Sequence, residues 1–149
     1  MEHGPGTRMQ ATGRHERAMI AVVTLLLALP GGSSAGDLKP FTTDGCSLFP
    51  AGTANQKDLW LACCTVHDLA YWMGGTSAER EKADQELKAC VDKTGEPEIA
   101  KLMLAGVRVG GTPYLPTTFR WGYGWTWPRG YGELNDNEWE QIKQRLRGK

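Results

Sequence analysis

Two adjacent cysteines constrain this chain more than any other feature. Cys63 and Cys64 stand in the run LWLACCTVHDLAY, residues 59–71, which also carries His67, Asp68 and Tyr71. Neighbouring residues on a helix project about 100° apart. The pair can hardly bond to each other there, so each thiol needs a different partner. Cys46 and Cys90 are the remaining cysteines. An even number in a small exported domain suggests two disulfides, and three pairings are open.

Export is read from the N-terminus. Arg8, Arg14 and Arg17 form a positive n-region, and 18–29 is an uncharged apolar run of 12 residues. Pro30-Gly31 breaks it, and Ser33-Ser34-Ala35 offers the small residues a signal peptidase reads. A membrane-spanning helix needs about 20 apolar residues, so this run is too short. Residues 1–35 are therefore expected to be a signal peptide, with a retained anchor as the alternative and Met9 as a second candidate start. Residues 36–149 then form one exported domain, secreted or periplasmic, and a monomer is expected. His3 and His15 fall in the leader, which leaves His67 as the sole histidine after it.

The chain carries 17 basic and 17 acidic residues; three Arg and two Glu lie in the leader, leaving 14 and 15. No basic patch is left to neutralise phosphates, so nucleic acid is excluded as a partner.

Residues 41–52, FTTDGCSLFPAG, have turn residues at both ends and no helical period, so they read as an irregular loop. Thr53 or Asn55 is expected to cap a first helix ending near Met73, before Gly74-Gly75. Leu59, Ala62, Val66, Leu69 and Ala70 repeat along it at helical spacing. Thr76 and Glu79 form a capping box for a second helix to about Asp92, with Ala83, Leu87, Cys90 and Val91 as its apolar stripe. Glu96-Pro97 opens a third helix to about Val107. Residues 110–132 are rich in glycine, proline and aromatics and read as loop, part of an unusual C-terminal portion from about 106. Asn135 and Glu138 cap a last helix, 135–147, with Trp139, Ile142 and Leu146 as its buried face. The sequence thus predicts an all-α fold.

The first two helices are joined by 74–77, short enough for an antiparallel pair. His67 and Asp84 each lie seven residues from that turn, about 10 Å at 1.5 Å per residue, so they can face each other. Cys63 and Cys90 are also roughly level. Asp84 can then fix the tautomer of His67, whose other nitrogen takes a proton from water. Asp68, about 100° round the helix, would point towards the loop around Cys46 if Cys46 bonds Cys64. A carboxylate with backbone carbonyls suits a hard cation such as calcium. Zinc held by the cysteines and His67 is the competing reading; export and the spacing weigh against it.

CCTVHDLAY resembles the signature of the secreted phospholipases A₂: two cysteines, two residues, His-Asp, two residues, Tyr. That family also has an aspartate six residues before a cysteine, as Asp84 and Cys90 are here. The resemblance covers about a third of the chain, Thr43 to Cys90. It implies disulfides Cys46–Cys64 and Cys63–Cys90, His67 as general base, Asp84 as its partner and Tyr71 hydrogen-bonded to Asp84. It gives Asp68 as the calcium carboxylate, with carbonyls near Gly45, Ser47 and Phe49 and Asp44 as an added ligand. A small disulfide-linked phospholipase A₂-like domain is the implied fold. The implied activity is calcium-dependent hydrolysis of the sn-2 ester of a glycerophospholipid, at a phospholipid or membrane surface. A further family disulfide would join positions 70 and 83; both are alanine, lost together. Leu48-Phe49-Pro50 replaces the glycine-rich calcium loop of the animal enzymes, which favours the alternative of a non-catalytic scaffold that binds lipid or an envelope partner. Trp121, Trp125 and Trp127 are expected either in the core or at a lipid interface. Core is favoured for Trp125 and exposure for Trp127.

Overall fold

Among the described residues every regular element is a helix: α1 (Leu61–Met73), α2 (Ser77–Asp92), α3 (Pro97–Gly110) and α4 (Asp136–Arg147). The computed structural model describes residues 1, 2, 4 and 36–148. The chain divides into two units, Met1–Gly32 and Ser33–Lys149, and α1 to α4 lie in the second. The expected n-region and apolar run of the leader lie outside the described residues. No described helix is long and apolar enough to cross a membrane.

α1 begins later than Thr53 or Asn55. The Thr53 hydroxyl does accept a backbone N–H, from Gln56, but it closes a turn in which Thr53 N–H donates back to the Gln56 carbonyl. Trp60 then anchors the chain, its indole donating to the Pro50 carbonyl at 2.6 Å and its backbone N–H to Ala51 at 3.0 Å. Side-chain turn bonding of this kind competes with helix at a threonine. The buried face of α1 also differs from the periodic set in the sequence. Val66 is 68% exposed and Ala62 is exposed, while Cys63, Cys64, His67, Tyr71 and Trp72 are buried. The helix turns its chemistry-bearing residues inward because their partners, two disulfides and a carboxylate, lie there.

α2 has the expected capping box: Thr76 Oγ1 accepts from Glu79 N–H at 3.2 Å and Glu79 accepts from Thr76 N–H at 2.7 Å. α1 and α2 meet in nested pairs: Cys63 with Cys90, His67 with Asp84, Tyr71 with Arg80. α3 packs on α2. Trp60, Cys63, Cys64, Leu87, Val91, Ala100 and Met103 form the cluster at this junction.

A second cluster, Leu38, Trp72, Trp125 and Ile142, joins the start of the domain to its end. α4 is capped by Asn135 and Glu138 as expected. Its buried residues are Glu138 and Ile142, whereas Trp139 and Leu146 are each 41% exposed. Glu138 turns inward to Arg129, 3.1 Å away, and that ion pair rotates the helix off its purely apolar face.

Residues 111–132 form no helix, and they cap one. The last four carbonyls of a helix have no partner within it. Here Ala70 accepts from Gly74 N–H, Tyr71 from Gly122 N–H at 2.7 Å, and Trp72 from Gly124 N–H at 3.2 Å. Met73 accepts from the Trp125 indole at 2.7 Å. Gly74 has φ +71°, and a Cβ there would lie 2.9 Å from Gly122 Cα, so glycine is required for this approach. Trp121 (2% exposed) and Trp125 (0%) are core, and Trp127 is 50% exposed. A lipid-interface role is thus overturned for Trp121 and Trp125.

Candidate active site

Asp84 is completely buried and is the hub of the site. Its Oδ1 lies 2.9 Å from His67 Nε2 and accepts the Tyr71 hydroxyl at 2.8 Å. Its Oδ2 accepts from Arg108 Nη1 at 2.9 Å, with Arg80 Nε 3.8 Å away. Burial pushes the Asp84 carboxyl up, but the bonds from His67, Tyr71 and Arg108 outweigh it and hold the group below its ordinary value. Asp84 is therefore an anion, and His67 Nε2 carries the proton between them. Nδ1 makes no hydrogen bond among the described residues. Tyr71 lies one turn beyond His67, ring centroids 4.2 Å apart. Burial and the adjacent Asp84 charge push its phenol well above the usual range, so it stays a donor. A Cβ at Gly111 would come within 2.5 Å of the Tyr71 ring, so only glycine leaves room for it.

Disulfide Cys46–Cys64 draws the loop 43–49 onto α1 one turn before Asp68. Thr43 donates its hydroxyl to Asp68 Oδ2 at 2.6 Å and accepts Gly45 N–H at 3.1 Å. Ser47 donates to Asp44 Oδ1 at 3.0 Å. Gly45 and Ser47 both have positive φ, +80° and +56°. Burial pushes the Asp68 carboxyl up; Thr43 pulls it down and the nearby Asp44 charge pushes it up again. Neither carboxylate has an ion-pair partner among the described residues. The side-chain oxygens of Asp68 and Asp44 are of the hard type that a cation such as calcium would take. No group of three or more His, Cys, Asp or Glu side chains able to hold a metal occurs among the described residues, so backbone carbonyls would supply much of the shell. The zinc reading is overturned, because Cys46–Cys64 and Cys63–Cys90 leave no free thiol.

Between loop and helices lies a cavity of about 460 Å³, a usual size for a ligand pocket. Gly45, Ser47, Phe49, His67, Asp68 and Tyr71 all line it. Asp84 sits behind His67, 2.9 Å from its Nε2, and Asp44 does not line the cavity. The opposite wall is α3, through Leu102, Met103, Gly106, Val107 and Gly110. Lining residues Leu48 (93% exposed) and Leu102 (58%) mark its mouth.

Sequence reasoning missed Arg80 and Arg108. Arg80 was findable, since it precedes Asp84 by four residues on one helix face. Arg108 carried no such signal: it reaches Asp84 from α3 across 24 positions. No family model, no curated protein and no solved structure matches this chain.

Proposed function

We propose that this protein is a calcium-dependent carboxylic ester hydrolase of phospholipase A₂ type, acting on the sn-2 acyl bond of a glycerophospholipid. The observation that carries the reading is the buried Asp84–His67 pair, with the free imidazole edge in an apolar cavity beside Asp68. The nested α1–α2 contacts support an antiparallel helix pair as its scaffold. Asp84 holds His67 with Nε2 protonated, so the Nδ1 lone pair accepts a proton from water as that water attacks the ester carbonyl. Tyr71 donates a second hydrogen bond to the same Asp84 oxygen that faces His67. The apolar walls take the acyl chain and exclude bulk water from His67. Asp68 and the carbonyls near Gly45, Ser47 and Phe49, with Asp44, would hold calcium, which when bound polarises the carbonyl and stabilises its oxyanion.

The second reading, a lipid-binding scaffold without catalysis, draws on Leu48-Phe49-Pro50 in the loop. Release of labelled fatty acid from sn-2-labelled phospholipid in mixed micelles separates the two. Calcium-dependent release that His67→Gln abolishes, with calcium binding kept, is expected; Asp68→Asn should lose both. Release that persists in a strong chelator, or in His67→Gln, would overturn the mechanism.

A further inference from the structure

Four donors crowd Asp84, and one of them belongs to neither helix of the His67–Asp84 pair. Arg108 stands in the last turn of α3. Arg80, 4% exposed, fixes that turn: its Nη2 donates to the Val107 and Arg108 carbonyls at 2.8 and 2.9 Å, while Nη1 donates to the Tyr131 hydroxyl at 2.6 Å. Two of the last carbonyls of α3 are thereby satisfied by a cation, as helix C-termini favour. With its backbone held, Arg108 sends Nη1 to Asp84 Oδ2 at 2.9 Å. Both donors on Oδ1, His67 and Tyr71, come from α1. A carboxylate held only through Oδ1 can swing about its Cβ–Cγ bond. Held through both oxygens, it cannot. Arg80 cannot replace Arg108, because its Nε is 3.8 Å from Oδ2 and is committed to the Tyr71 hydroxyl at 3.0 Å.

We propose that Arg108 is a positioning residue: it locks the plane of Asp84 and so fixes the tautomer and orientation of His67. The same helix forms the apolar wall of the cavity through Met103, Gly106, Val107 and Gly110. The wall that meets a ligand and the clamp on Asp84 therefore move as one piece. The role deepens the ester-hydrolase reading, yet it concerns the state of an imidazole and can be read without turnover.

The Arg108 side chain is 40% exposed, so solvent reaches it, whereas that of Arg80 is 5% exposed. That contrast allows chemical rescue. The experiment uses nitrogen-15 and proton NMR of the full chain to follow the Nε2–H of His67, identified as the signal missing in His67→Gln. Arg108→Ala should stay folded by circular dichroism but lose or broaden this signal and show mixed tautomers. Guanidinium chloride at low, non-denaturing concentration, or Arg108→Lys, should restore it. Where the wild type releases fatty acid, kcat should fall about 10–100-fold in Arg108→Ala with KM nearly unchanged, and recover with guanidinium. An unaltered Nε2–H signal and unaltered kcat in Arg108→Ala would overturn the proposal. So would unfolding of Arg108→Ala, which would make the role structural. A wild type that shows the signal, loses it in Arg108→Ala and hydrolyses nothing upholds Arg108 while rejecting the hydrolase reading.

Discussion

Asp84 shows how one residue can be both the costliest and the best supported in a small domain. Removing a carboxylate from water is expensive, and here the cost is met by hydrogen bonds on both oxygens. Asp84→Asn should therefore destabilise the fold by about 3–5 kcal/mol, because it leaves the guanidinium groups of Arg80 and Arg108 without their counter-charge. Chemical denaturation at pH 7 checks this. The pH dependence follows with a definite sign. The folded carboxyl is held below its ordinary 3.8, so its stabilisation is present above that value and is lost as pH falls through the lower folded one. Asp68 works in the opposite direction, its folded carboxyl being raised. The Asp84 share is thus read as the difference between wild type and Asp84→Asn: their denaturation midpoints should converge below pH 4. Parallel curves from pH 7 to pH 3 would contradict it.

At the scale of elements, the helices with local start signals were legible. Thr76 with Glu79 and Asn135 with Glu138 are capping boxes in the sequence and in the structure, and Pro97 opens α3. So was the level placing of His67 and Asp84, since a short turn and a fixed rise determine it. What failed were faces set by distant partners. The exposed Val66 and Trp139 both have the right periodicity, but a buried carboxylate and a buried ion pair decided which side turned inward. The loop character of 111–132 was legible too, but not its packing, since its bonds to α1 span about 50 positions and leave no period. Its tryptophans now have distinct expected effects. Trp125→Ala removes a fully buried indole and the donor to the Met73 carbonyl, and should cost about 3–5 kcal/mol. Trp127→Ala, half-exposed, should leave the melting temperature within a degree or two of wild type. A Trp125→Ala melting temperature as little changed as that of Trp127→Ala would mean that the cap does not depend on Trp125.

Across the whole molecule, the adjacent cysteines tie two unlike pieces to one turn of α1. Cys46–Cys64 spans 18 positions and holds the loop over Asp68, whereas Cys63–Cys90 spans 27 and holds α2, which carries Asp84. Such bonds belong to an oxidising compartment. Loop closure alone makes them similar in stability, about 3 and 3.5 kcal/mol, so melting temperature will hardly tell them apart. Function should. The paired variant Cys46→Ala/Cys64→Ala frees a loop whose other tie to α1 near Asp68 is a threonine hydroxyl. Calcium binding should weaken strongly, while the His67 Nε2–H signal stays, because His67, Asp84 and Arg108 are joined by direct bonds between α1, α2 and α3 that do not pass through the loop. In Cys63→Ala/Cys90→Ala the order reverses. The far ends of α1 and α2 gain freedom, the His67–Asp84 distance fluctuates, and the imidazole signal broadens while the loop stays latched to α1. Calorimetric calcium titration beside the NMR spectrum of each variant reads both effects. Loss of both properties in both variants would mean that the cation site and the His67–Asp84 pair form one cooperative unit rather than two held by separate bonds.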